Sequence, residues 1–308
     1  MPILYLHSNE IRSEISRNVP AGSGLGSDFV AYPATPLQSG MVLASMNDPT
    51  AYVLQQAFKA TRPIVAHQLQ TAFRRLLMHH DILRTSFVST SDGIYQVVRQ
   101  NVDSVYISQT TTDLQQYLAD DHTQGFTMQS SSWVRLALVT SRSDQHAVLT
   151  IHHALYDGWS LPFIIEDLFK TYEGQPMSDR ASFHSVVNYI ASRDPTATQM
   201  FWKEYLADVS ISSTFNGIGP DVDDDVDEPI NVPCDVTTAA MQEVARQSGV
   251  TIATILKAAW ALTLRQYQRT SDVVFGFVTA GRDIPVSDVD RYVDIVSFHD
   301  RFRNRSNT

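Results

Sequence analysis

The stretch Ile151-His152-His153-Ala154-Leu155-Tyr156-Asp157-Gly158-Trp159 sets two imidazoles side by side, shortly before a carboxylate, a glycine and a tryptophan. It directly follows a run that reads as a buried strand. Trp133 to Val139 and His146 to Ile151 are short, β-branched and aromatic runs separated by the polar turn Ser141-Arg142-Ser143-Asp144-Gln145, the signature of a hairpin. If the second strand persists through the histidines, neighbouring side chains point to opposite faces, so one imidazole is chemical and the other structural. A neutral imidazole takes a proton from an amine, hydroxyl or thiol attacking a carbonyl. Spacing alone leaves open a satisfied pair of core histidines. A metal site lacks a third ligand at a recognisable spacing. Asp157 either takes part directly or pairs with a distant arginine to fix the loop, since a buried charge is tolerated only when paired. Gly158 permits a positive φ or a close approach of substrate to the backbone.

On the far side of the motif, Ser160 reads as a helix N-cap, with Pro162 in the first turn and Gly174 as a stop. The dipole of this helix would favour an oxyanion near Gly158 and Trp159. Alternatively, Trp159 closes the core beneath the strand. Upstream, Val65, Leu69, Ala72, Phe73, Leu76 and Leu77 recur at helical spacing, which predicts an amphipathic helix entering the segment His80 to Phe87. His79 and His80 near its end suit the helix dipole, but adjacent helical positions do not share a face as metal ligands would.

The bulk properties set bounds. A chain of 308 residues exceeds one ordinary core and predicts two substantial units. With 43% hydrophobic and 18% charged residues it is expected to be soluble and globular. A net charge of −10 argues against a nucleic-acid surface and a polybasic membrane patch. Cys234 is the only cysteine, so an intrachain disulfide is impossible and a cytoplasmic location is expected. No apolar run reaches membrane-spanning length.

Residues 1–27 end in Pro20-Ala21-Gly22-Ser23-Gly24-Leu25-Gly26-Ser27 and read by composition as a flexible linker. The helical pattern breaks around Ala191 to Ala197, where a subdomain junction is expected. The run from Pro220 to Glu228 and Pro229 is rich in carboxylates. It lacks the glycine and terminal glutamate of a calcium loop and reads as a solvated acidic loop. Helices follow at about Thr237 to Gln247 and Ile252 to Tyr267, then a strand from Val273 to Thr279.

His152-His153-Ala154-Leu155-Tyr156-Asp157-Gly158-Trp159 is similar, at every fixed position, to the HHxxxDGW motif of condensation domains of nonribosomal peptide synthetases. Tyr32-Pro33-Ala34-Thr35-Pro36-Leu37-Gln38-Ser39-Gly40-Met41 resembles the fungal form of that family's opening motif. His80-Asp81-Ile82-Leu83-Arg84-Thr85-Ser86-Phe87 resembles its RHExLRTxF motif. The three occur in family order. Thr251 to Arg282, with Asp272-Val273-Val274-Phe275-Gly276 and Gly281-Arg282, resembles the start of the C-terminal half. Beyond Asp283 the pattern departs from the family, and no adenylation motif or phosphopantetheine attachment site is recognisable.

The resemblance implies an α/β, chloramphenicol acetyltransferase-like fold of two lobes with the histidine motif at the cleft between them. Residues 28–195 would form the N-terminal lobe and 196–308 a partial C-terminal lobe, the second lobe being incomplete. It implies that His153 is the base or the amine-positioning group and that His152 is structural. Asp157 would hold the loop through an arginine, Arg282 being the first candidate and Arg84 the second. Gly158 would line the donor site, with Trp159 in support. No cofactor would be bound directly, because the substrates ride on the phosphopantetheine of carrier protein domains. The implied reaction is amide formation between an acyl donor and an aminoacyl acceptor in secondary-metabolite or siderophore-type peptide synthesis. Two other readings stand beside it. One is a stand-alone coenzyme A-dependent HxxxD acyltransferase, against which the absence of a DFGWG motif counts. The other is an inactive, truncated carrier-docking module.

Overall fold

The structure, a computed structural model, describes residues 9–20, 29–100, 106–111, 113–142, 144–180, 182–207, 232–269, 273–279, 281–286 and 298–301. The chain divides into two compact units: Met1–Arg193 with Ala280–Phe298, and Asp194–Thr279 with His299–Thr308. The first unit holds, in chain order, α1 (Asn9–Asn18), β1 (Val30–Pro33), α2 (Pro36–Asn47), β2 (Val53–Lys59), α3 (Ala66–His79), β3 (Thr85–Thr90) and β4 (Gly93–Val98). It continues with β5 (Tyr106–Thr111), α4 (Leu114–Gln124), β6 (Val134–Ser141), β7 (Asp144–His152), α5 (Leu161–Tyr172) and α6 (His184–Ala191). Short 3-10 turns at Asp81–Arg84 and His153–Leu155 join α3 to β3 and follow β7.

A four-stranded sheet in the order β2-β7-β6-β5 is the frame of this unit. The hairpin β6-β7 is antiparallel, with Val134 opposite Ile151 and Ser141 opposite Asp144. β5 runs parallel to β6, which a tight turn cannot connect, and α4 supplies the crossover. Alternation along the strands sorts the core. Val134, Leu136, Leu138, Ala147, Leu149 and Ile151 face the cluster that includes Leu69, Phe73 and Leu76 of α3 and Ile164 and Leu168 of α5. Ala137, Val139 and Val148 face Tyr117 of α4. Both faces are therefore covered, which is why these strands read as nearly continuous apolar runs. A second sheet, in the order β1-β4-β3, carries its own core.

Local rules account for the helices that position the site. α2 begins with a capping box: the Thr35 side chain accepts from the Gln38 amide and the Gln38 side chain accepts from the Thr35 amide, with Pro36 in the first turn. α3 buries Leu69, Ala72, Phe73, Leu76 and Leu77, the stripe expected from their spacing. α6 ends at Ala191 and the next helix begins at Pro195, capped by Asp194.

The second unit contains α7 (Pro195–Tyr205), α8 (Thr238–Ser248), α9 (Ile252–Gln268) and a pair of short strands, β8 (Gly276–Thr279) and β9 (Phe298–Arg301). Thr237 and Thr251 cap α8 and α9, and Gly249 ends α8 in the left-handed region, where a Cβ would be strained. Ala261, Leu264, Val273 and Phe275 pack together here. The acidic run of residues 220–229 lies outside the described residues.

Two expectations change. Asn9–Asn18, read by composition as part of a linker, is a helix. Ile11, Ile15 and Val19 fall at successive helical turns, and Ile15 is fully buried against Phe29, Ala31, Val88, Tyr95 and Val97. The glycine- and serine-rich run behind it masked this periodicity. Glu14 also accepts from the Ser91 amide and hydroxyl, at 2.7 and 2.8 Å, tying the helix to the β3-β4 turn. In addition, the described residues 281–286 group with the first unit. Because a linker residue contributes nothing to a core, Ile15→Ala distinguishes the two descriptions of the N-terminal segment. It should lower unfolding free energy by about 2–5 kcal/mol, read from urea denaturation, whereas a linker position would leave the midpoint where it was.

Candidate active site

The site grows from the end of β7. His152 is the last residue of the strand, opposite Val53 of β2, and its amide donates to the Trp133 carbonyl at 3.0 Å. The chain then tightens into the 3-10 turn, with the His153 amide donating to the Tyr52 carbonyl at 2.8 Å. The strand thus ends between the two imidazoles, and it is this turn, not strand alternation alone, that separates their environments.

His152 is completely buried. Its ring meets Trp133 edge-on at 4.7 Å and Phe126 at 6.1 Å. Nδ1 accepts from the Ala154 amide at 3.0 Å. That contact assigns the proton to Nε2, which lies 2.7 Å from Ser45 Oγ. Burial, reinforced by the neighbouring His153, pushes its pKa down to about 3. His152 is accordingly a neutral, fully hydrogen-bonded core residue.

His153 is half-buried. Its Nδ1 lies 2.9 Å from the Tyr156 carbonyl. A carbonyl only accepts, so Nδ1 carries the proton and Nε2 presents the lone pair. The ring stacks on Tyr156 with centroids 4.6 Å apart and planes 15° from parallel. One imidazole is therefore oriented with its basic nitrogen away from its own backbone.

Asp157 is held from two sides. Oδ1 accepts from the amides of Trp159 at 3.1 Å and Ser160 at 2.7 Å. Arg282 Nη2 donates to Oδ1 at 2.9 Å and to Oδ2 at 2.7 Å. Both partners of this ion pair are buried, and it joins positions 125 residues apart. Arg84, the second candidate, pairs with Asp81 and donates to the Arg99 carbonyl. Ser160 occupies the N-cap position of α5, with Pro162 in the first turn, as read from the sequence. The Ser160 side chain makes no cap bond within α5. Its hydroxyl accepts from the Asp157 amide at 2.8 Å, and the Asp157 carboxylate takes the amides of Trp159 and Ser160 just ahead of the helix. Since the amides of Trp159 and Ser160 are engaged there, they do not form an oxyanion site. Gly158 is not in the left-handed region. A Cβ on it would meet open space, consistent with the closest approach to the backbone being from outside. Trp159 is 54% exposed and does not close the core; Trp133, fully buried, does that.

Three groups escaped sequence reasoning. Ser45 and Gln38 of α2 reach the histidine turn, Gln38 Nε2 donating to the Ala154 carbonyl at 3.0 Å. The Thr35-x-x-Gln38 capping box was the legible signal for that helix, though not for its second role. His80, set aside as a ligand, bonds Asp167 of α5 at 3.0 Å, and Arg180 bonds the same carboxylate. Burial alone would raise the Asp167 pKa, but the bonds from His80 and Arg180 outweigh it and hold the carboxyl below its ordinary value. Burial lowers His80 itself. A cavity of about 510 Å³ lined by Phe58, Ile64, Leu69, Phe169 and Tyr172 sits by the opposite end of β2 from the histidine turn. Among the described residues no cluster of His, Cys, Asp and Glu is arranged to hold a metal, and no helix is long and apolar enough to cross a membrane.

The chain matches the Condensation domain family over residues 30–294 and belongs to that family. It is 34% identical over 258 residues to cyclochlorotine synthetase of Talaromyces islandicus, covering 83% of this chain and 4% of that protein. It is 33% identical over 267 residues to nonribosomal peptide synthetase 6 of Alternaria brassicicola, covering 84% of this chain and 17% of that protein. The chain thus spans a small part of the curated relatives it matches. Among solved structures, the condensation domain from the monacolin K polyketide synthase MokA superposes with a TM-score of 0.70 at 15% identity, over 92% of this chain and 69% of that one. The first condensation domain of the calcium-dependent antibiotic synthetase gives 0.63 at 17% identity, over 89% and 70%. The fold is that of condensation domains, chloramphenicol acetyltransferase-like.

The buried ion pair invites a double-mutant cycle. Arg282→Met leaves a buried carboxylate without its cation and should cost about 3–5 kcal/mol. Adding Asp157→Asn, which keeps an oxygen for the Trp159 and Ser160 amides, should cost less than the sum of the single changes. Strict additivity in denaturation midpoints would mean that the pair does not anchor the loop.

The buried histidines set a pH dependence. Folded His152, at about 3, stays neutral where an unfolded histidine takes up a proton near pH 6.5, so the unfolded state gains protons as pH falls. The stability is fully present above roughly pH 6.5 and declines below it, by up to about 1.4 kcal/mol per pH unit for each such histidine. His80, lowered in the same direction, adds to the slope. Urea unfolding at pH 7, 6 and 5 should show this decline, and His152→Gln should flatten it; a profile level from pH 7 to 5 would contradict the assignment.

Proposed function

We propose that this chain is a condensation domain of a nonribosomal peptide synthetase that forms an amide between two carrier-bound substrates. The acceptor's amine attacks the thioester carbonyl of the donor. The carbon–nitrogen bond forms, the carbon–sulfur bond breaks, and the acyl chain moves to the acceptor. The proton leaving the amine passes to His153 Nε2 and on to the departing thiolate. The observation that carries this reading is the tautomer of His153, whose Nδ1–H is committed to the Tyr156 carbonyl, so that Nε2 is a ready acceptor. His152 is the structural member, and Asp157 with Arg282 anchors the loop instead of exchanging protons. Gly158, whose Cα faces open space, lines the donor side.

In this reading residues 28–195 form the lobe that bears the motif and 196–308 belong to the second lobe, apart from the return of residues 281–286. The partners are peptidyl or acyl carrier domains. Their phosphopantetheine arms bring the substrates, and no cofactor is bound by the chain itself. The setting is cytoplasmic synthesis of a secondary-metabolite or siderophore-type peptide. Much of the rate comes from holding two tethered reactants in register, for which effective molarity is the relevant measure.

The test is a reconstituted reaction between an aminoacyl carrier donor and an aminoacyl carrier acceptor, with intact-mass detection of the dipeptidyl carrier. His153→Ala should lower amide formation by about 10²–10⁴-fold while the protein still melts cooperatively. Equal turnover of the variant would remove His153 from the mechanism. Turnover of a free acyl-coenzyme A without any carrier would replace the reading with a stand-alone acyltransferase.

A further inference from the structure

The polar groups of α2 that reach the histidine turn form a directed chain. Gln38 is completely buried, as is Gln96 of β4. The Thr35 amide is only a donor, and it meets Gln38 Oε1 at 3.0 Å. The Gln38 amide group is thereby oriented, and Nε2 has both hydrogens to give. One goes to the Ala154 carbonyl at 3.0 Å and the other to Gln96 Oε1 at 2.9 Å. Gln96 is oriented in turn, donating from Nε2 to the Pro33 carbonyl at 3.2 Å. Every member is satisfied, and the obligate donor at one end and obligate acceptors at the others leave one arrangement. A rotated Gln38 amide would set two donors against each other and two acceptors against each other.

The target of this chain matters. Ala154 immediately follows His153, and its amide is the donor to His152 Nδ1. Ala154 is therefore pinned at its amide by His152 and at its carbonyl by Gln38. The contact spans 116 positions in sequence. Ser45 lies two helical turns from Gln38 on the same buried face of α2 and holds His152 Nε2. One face of one helix thus grips both the structural imidazole and the turn that carries the other one.

We infer that Gln38 is a positioning residue for His153, acting through the Ala154 carbonyl to hold the 3-10 turn in which the Nδ1–H of His153 reaches the Tyr156 carbonyl. The inference rests on the proposed role of His153 for its catalytic consequence, but its structural content stands apart from it. A turn free to relax by an ångström would misalign Nε2, and a displacement of that size costs about 10²-fold in rate. It would also release Nδ1–H from Tyr156, so that the two neutral tautomers mix.

The experiment reads tautomer and turnover separately. Gln38→Glu keeps an oxygen for the Thr35 amide and removes at least one of the two donors. In long-range proton–nitrogen spectra of histidine-labelled protein, with the His153 signal assigned through His153→Gln, the native chain should show a single Nδ1–H tautomer at His153. Gln38→Glu should move that signal toward the average of the two tautomers. In the carrier-loaded reaction it should lower kcat by about 10–100-fold with KM nearly unchanged, while Gln38→Glu retains a cooperative melt. If Gln38→Glu does not fold, Gln96→Met, which removes one of the two acceptors of Gln38 without touching the cap, should shift the His153 signal in the same sense and by less. A His153 signal identical to the native one in a folded variant overturns the inference. A native chain that makes no amide product but whose His153 signal responds to Gln38→Glu overturns the catalytic reading alone.

Discussion

A neutral imidazole sealed at the end of a buried strand is the constraint around which this site is built. His152 cannot carry charge where it sits, among Trp133 and Phe126, and both of its ring nitrogens must find partners inside the protein. The Ala154 amide and Ser45 supply them. Meeting the first demand bends the chain out of the strand immediately after His152, and the bend delivers His153 to a half-buried position with its tautomer assigned. The buried histidine thereby sets the geometry of its half-buried neighbour. The adjacency of the two in sequence follows from this mechanical relation.

Asp157 and Arg282 close the other end of the same loop. The carboxylate is saturated by two backbone amides and a guanidinium, so its chemistry is spent on shape. A buried pair of this kind contributes little net stability compared with an apolar substitute, but it specifies one arrangement, because every alternative leaves a charge unpaired. The pair also draws residues 281–286 into the unit that carries the motif, where Ile284 and Val286 pack near Tyr32 and Phe183. Together with the buried face of α2, this holds the histidine loop from two distant parts of the chain.

Much of this was legible beforehand. The hairpin Val134–Ser141 with Asp144–His152 lies where β-branched runs and a polar turn predicted it, and α3 follows its apolar stripe. The N-terminal helix was missed because the composition of residues 20–27 outweighed a periodicity carried by Ile11, Ile15 and Val19 alone. Ser160 was read as a cap from residue type and holds that position, but its hydroxyl bonds the Asp157 amide instead of an amide of the helix. Trp159 was weighed as a core residue by size, whereas the strand's own Trp133 already fills that volume. The His80-Asp167-Arg180 cluster and the Gln38-Gln96 chain could not be anticipated. Each joins residues whose separation in sequence says nothing about their separation in space.

The sequence by itself determined the family, the hairpin and the identity of the histidine pair, because those depend on residue type and short-range periodicity, which the backbone's local preferences translate directly. It also narrowed the partner of Asp157 to two arginines. Only the tertiary structure decided between them, assigned a tautomer to each imidazole, and surrounded the Asp157 carboxylate with two amides and a guanidinium. The physical reason is that a protonation state is set by which donors and acceptors surround a ring. Those partners are the Ala154 amide and Ser45 for His152 and the Tyr156 carbonyl for His153, and the turn that brings them to the rings is held by Gln38 and Tyr52, residues that meet the motif only after the chain has folded.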